Sequence, residues 1–285
     1  GSAMAFDLVG RRSASAAIAL SNLAAQVSGI FAGIVAGYGL SSAGPTATLV
    51  VIGLAYALGA LAMLPIRPVA PSGPVAQRGR VSLRRAATLV TRNHQVALIA
   101  VIVTGTEVLA FSNMTLLPSF ARDVFGIGAV GLGWLLSARA IGGTLGLVAV
   151  ATSASRWRTI GSFAFLAAAF GVALIAFAVT SFLAVALVLA GVIGAVGAAV
   201  DTVGQSQVQH AVNETERGSA MGVWMFCLGL GLVGHIDTGL VGSVMGAPFA
   251  QIANGLMLVI LASAVWLALP AVGPGRARKA APAPD

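Results

Sequence analysis

The chain has 285 residues, of which 58% are hydrophobic and 8% charged, with 36 Gly and a formal net charge of +8. Ordinary soluble domains carry about 25% charged residues, so this composition excludes a soluble enzyme, a disordered tail and a nucleic-acid module. The single Cys excludes an internal disulfide framework and any multi-Cys metal site, and the chain reads as an all-α integral membrane protein.

A helix needs about 20 apolar residues to cross a bilayer core. Taken in chain order, residues 13–66 contain no Asp, Glu, Lys or Arg. That is room for two spans, 13–39 and 46–66, separated by the turn chemistry of Gly39 to Pro45. Residues 67–95 are hydrophilic and hold Arg67, Arg78, Arg80, Arg84, Arg85 and Arg92. They read as a basic linker. Six further spans follow at 96–120, 127–151, 159–179, 182–203, 218–241 and 247–270, and 271–285 form a tail. The expected domains are therefore a two-helix segment (1–66), the linker, and a six-helix bundle (96–270).

The basic residues set the orientation. Arg11 and Arg12, the six linker Arg, Arg156 and Arg158, Arg217, and Arg276, Arg278 and Lys279 all fall on one side of this eight-span arrangement. Only Arg122, beside Asp123, falls on the other, and Arg139 lies within a span. Positive residues mark the cytoplasmic side, so both ends of the chain are expected there. The net charge thus belongs to topology and to anionic lipid, and no nucleic-acid partner is expected. Arg outnumbers Lys fifteen to one; with abundant Ala, Gly and Val this suggests a GC-rich genome and a bacterial inner membrane.

Ionisable groups inside a bilayer are costly and are functional candidates by default. Glu107 lies ~16 Å into the third span and Arg139 ~18 Å into the fourth, at 1.5 Å per residue. Both depths are near the midplane, on sequential antiparallel helices, so an ion pair between them is the first expectation. Asp201 comes ~28 Å into the sixth span, near the headgroups, where it is expected to reach a hydrated loop. His235 and Asp237 lie near the outer end of the seventh span. Asn113 and Asn254 are expected to hydrogen-bond between helices.

Gly29, Gly33 and Gly37 recur every four residues on the first span, as do Gly142 and Gly146 on the fourth. Such stripes let helix backbones approach closely. Gly229 to Gly234 and Gly126 to Gly131 both fit the dinucleotide-binding spacing, but neither follows a strand in a βαβ unit. Asp237-Thr238-Gly239 matches a protease triplet without a second Asp on a β scaffold. No His, Cys and carboxylate cluster has metal-ligand spacing, and no cofactor or metal is expected.

The segment Leu116-Leu117-Pro118-Ser119-Phe120-Ala121-Arg122, followed by Gly126 to Gly146, resembles the seventh and eighth helices of the major facilitator superfamily. Gln205 to Gly222, with Glu216-Arg217-Gly218 and Met221-Gly222, is similar to the loop between its tenth and eleventh helices. Asp7-Leu8-Val9, Asn22 and the Gly29/Gly33/Gly37 run resemble its fifth. The nearest branch is that of bacterial drug-efflux and enterobactin-exporter-like proteins. The resemblance implies a partial fold, two helices of the first half plus a complete six-helix second half, with the first four helices absent. It also implies proton-coupled efflux of an amphipathic drug or siderophore-like compound by alternating access, with Glu107 as proton carrier. On this view the chain needs the missing helices or a partner subunit to complete the cycle. The chain departs from the family around 152–158, which keep Arg156 and Arg158 without the usual Asp or Gly, and at Ser219, where Arg is usual. The alternative is a non-transporting or partner-dependent eight-helix scaffold subunit.

Overall fold

The computed structural model describes residues 28–63, 83–153, 157 and 159–269. Among them the chain is helical throughout, with no strand. The expectations that fall on Asp7, Asn22, Arg156, Arg158 and the segments 1–27, 64–82 and 270–285 lie outside the described residues.

The first helix is described over α1 (Ser28–Ser42). It ends where the Ser41 and Ser42 hydroxyls donate to Tyr38 O. Gly44, at φ +78°, turns the chain after Ala43 alone, a conformation open to Gly because it lacks Cβ. Then α2 (Gly44–Met63) starts with Pro45 in its first turn, where a missing N–H costs nothing. The turn is therefore far tighter than the 39–45 segment expected.

The linker is not wholly irregular. Its end forms α3 (Leu83–Arg92), which leads into α4 (His94–Gly105) through Asn93. The Asn93 side chain accepts from Gln95 N and Val96 N and donates to Ala211 O at 2.9 Å. One residue thus caps α4 and pins this corner to Ala211, 118 residues further along the chain.

The span that α4 begins continues to Val124, but not as one regular helix. A π-helical turn (Thr106–Ala110) is followed by a 3-10 turn (Phe111–Thr115), the short α5 (Leu117–Ser119) and a second π turn (Phe120–Val124). Local chemistry favours the break: Thr106 Oγ1 donates to Val103 O, and Pro118 cannot continue an α-helical hydrogen-bond ladder. The remaining helices are α6 (Gly128–Thr152), α7 (Ile160–Val179), α8 (Leu183–His210), α9 (Arg217–Met245) and α10 (Ala247–Ala268). Seven described helices are long and apolar enough to cross a membrane, with Ser28–Ser42 as a shorter apolar eighth. The eight-span reading holds in order and number. Its boundaries shift: α8 runs seven residues past 203, and α9 reaches Met245 before Gly246, at φ +90°, reverses the chain.

Packing is by small residues. A Cβ on Gly142 or Gly146 of α6 would collide with the backbone of Gly191 or Ala195 of α8, and one on Gly194 with Arg139 O. Gly171 of α7 and Gly255 of α10 approach each other in the same way. The α1 stripe meets α6: a Cβ on Gly33 would lie 2.9 Å from Gly133 O, and Ser137 Oγ donates to Ile30 O at 2.6 Å. Both predicted Gly stripes therefore lie at helix–helix contacts. A Phe cluster fills the space between α7 and the broken span, with Phe111 edge-on to Phe170 at 5.4 Å and Phe120 to Phe177 at 5.0 Å.

Candidate functional site

The broken span organises the site because α9 lies along it. Cys227, Gly231, Gly234, Thr238 and Gly242 form a stripe of small side chains on α9. Cys227 Sγ donates to Ala100 O at 3.7 Å, and Cβ atoms on Gly234 and Gly242 would meet Val108 and Leu116. This close approach leaves the π turn no room to be covered by bulky side chains. The Glu107 carboxylate sits in that turn, where a Cβ on Gly231 would come 3.1 Å from its Oε2. Glu107 is half-buried, and no described cation or hydrogen-bond donor pairs with it.

The expected ion pair does not form. Arg139 NH1 donates instead to Asn113 Oδ1 at 3.0 Å. Chain length explains the difference. The broken span runs to Val124, four residues beyond the expected 120. Counted from the outer ends, Arg139 lies eleven residues in and Glu107 seventeen, so they differ by ~9 Å in depth. Asn113, also eleven residues from Val124, is at the level of Arg139.

Asp201 lies eighteen residues from the start of α8, ~27 Å along it, and α8 continues for nine more residues to His210. It is exposed, but on the side of α8 nearly opposite the exposed apolar residues Val185, Val188 and Val192, at about 100° per residue. Arg139 is placed similarly on α6. It is about 150° around the helix from the exposed Trp134, Ile141, Leu145 and Val148, and so turns from lipid towards the bundle.

Nearer the outer end, Thr115 Oγ1 and His235 Nδ1 are 2.8 Å apart. Asp237 is exposed beside the apolar flank of Val233 and Val244 and is not brought to the other groups. Arg217 opens α9 at the opposite end. The interhelical role expected of Asn254 is observed: its Nδ2 donates to Thr238 Oγ1 at 2.7 Å and to Ser112 Oγ at 3.4 Å. Thr238 Oγ1 in turn donates to Ser112 Oγ at 3.0 Å. Sequence reasoning passed over Ser112 and met Thr238 and Gly231 only as members of rejected motifs. The usable signal was the spacing 227, 231, 234, 238, 242 of small residues on one helical face. Among the described residues no group of three His, Cys, Asp or Glu is placed to hold a metal ion.

The described residues form a multi-pass helical bundle of membrane-spanning length, with Arg139 and Asp201 turned away from its exposed apolar flanks around a broken span. The model of the Major Facilitator Superfamily matches residues 1–234 and again 108–284, and the chain belongs to that superfamily, whose members move small molecules across membranes. Two overlapping matches accord with a family built from internal repeats. No curated protein and no solved structure matches the chain.

Proposed function

We propose that the protein is a proton-coupled exporter of amphipathic small molecules, of the drug or siderophore-like kind, working by alternating access in a bacterial inner membrane. Its basic loops and both ends of the chain face the cytoplasm in this reading. The observation that carries it is the environment of Glu107, a half-buried carboxylate in a π-helical turn with no described cation beside it. A carboxylate held this way is a poor structural anchor, since a buried charge without a partner is costly. It is a suitable proton carrier, because taking up a proton removes the cost of burying the charge. π turns inside α-helices recur at functional sites.

Everted membrane vesicles from cells producing the chain together with the helices or partner that complete its bundle test this with a panel of fluorescent aromatic amphiphiles of positive, zero and negative charge. At least one member should accumulate under an imposed proton gradient, and Glu107→Gln should reduce that accumulation to the level of vesicles lacking the protein. Undiminished gradient-driven accumulation by Glu107→Gln would overturn the assignment of Glu107.

A further inference from the structure

Arg139 has five N–H donors and one described hydrogen bond, to Asn113 Oδ1. No described carboxylate lies within ion-pairing distance of it. Asn113 is 1% exposed, and its Nδ2 is buried without a hydrogen-bond partner. The amide cannot be turned over to relieve this, because Arg139 can only donate and so requires the oxygen. The two unfilled donor groups consequently lie side by side: Nδ2 shares a carbon with the oxygen that Arg139 holds. Arg139 itself is only partly buried. A cation and an amide donor left open together in a low-dielectric interior are expensive unless an acceptor fills them.

We propose that Arg139 and Asn113 form the recognition point for a carboxylate on the transported molecule. The guanidinium fork matches a carboxylate with two parallel hydrogen bonds. Asn113 fixes the fork through Oδ1 and offers Nδ2 as a third donor. The assignment rests on the transport reading above and adds a substrate class to it: organic anions with an apolar body. The recognition point lies ~9 Å along the span from Glu107, so substrate and proton occupy separate levels. Protonation of Glu107 and binding of the carboxylate therefore do not compete for one cation, as they would if Glu107 and Arg139 were paired.

The test is ligand-induced thermal stabilisation of the purified protein, with 1-naphthylacetate compared with 1-naphthylacetamide, which has the same ring without the charge. The wild type should bind the carboxylate about tenfold or more tightly than the amide, the size expected of charged hydrogen bonds. Arg139→Gln should bring the ratio to about one. Asn113→Asp, which places a carboxylate of the protein's own against Arg139, should do the same and guards against a misfolded Arg139 variant. Equal binding of the two compounds by the wild type, or a preference surviving in Asn113→Asp, would overturn the proposal. So would abolition of the preference by millimolar sodium chloride but not by sodium gluconate's non-anionic analogue sorbitol at equal osmolarity, which would mark an inorganic-anion site. Glu107→Gln separates the two readings: it should keep the carboxylate preference while losing proton-driven accumulation.

Discussion

Single side chains in this protein act by being paired or left open. Ser112, Thr238 and Asn254 are buried and mutually hydrogen-bonded, which ties the broken span to α9 and α10. Hydrogen bonds between membrane helices contribute about 0.6 kcal/mol on average, and removing one partner here leaves the others buried and unmet. Thr238→Val should therefore lower thermal stability by about 1–2 kcal/mol, read as a reduced Tm in detergent. Thr238→Ser, which keeps the hydroxyl, should restore most of it. Glu107, Asn113 and Arg139 could all be picked from the sequence as polar groups at depth, but not their pairing. A four-residue error in one helix end moved Glu107 past Arg139, and only counting from the loop shared by the two helices brings Asn113 to it.

Elements are held together by the absence of side chains as much as by their presence. The Gly142, Gly146 and Gly194 contacts bring backbone against backbone, so Gly142→Val should prevent α6 and α8 from docking and leave little folded protein on size-exclusion chromatography. Gly218→Ala and Gly229→Ala, where an added Cβ meets nothing within 4 Å, should leave the yield unchanged. These stripes were legible because a four-residue period puts them on one helical face. The break in the span from His94 to Val124 was not. Its π and 3-10 turns are stabilised by what packs on them, Gly231 and Gly234 from a helix more than a hundred residues away, and hydropathy is blind to that.

The whole molecule was the most legible scale, because apolar stretches of spanning length and the one-sided distribution of Arg are properties of composition along the chain. What hydropathy misplaced were the connections. Gly44 and Gly246 reverse the chain almost without a loop, and polar helix ends such as 204–210 continue beyond the apolar stretch. The topology itself makes a prediction. A Cys introduced at Thr180, in the α7–α8 connection, should react with a membrane-impermeant maleimide added outside intact cells, with the native Cys227 replaced by Ser. One introduced at Asn213, in the α8–α9 connection, should react only after the cells are opened. The reverse pattern would invert the orientation.

The central claim is that Glu107 changes its protonation state during transport. Infrared difference spectroscopy of the membrane-embedded protein, between acidic and neutral buffer, reads this directly through the carboxyl C=O stretch. A band present in the wild type should vanish in Glu107→Gln and persist in Asp237→Asn, whose carboxylate lies at the outer flank. Spectra unchanged by Glu107→Gln would mean that no proton resides there, and the carrier assignment would fall.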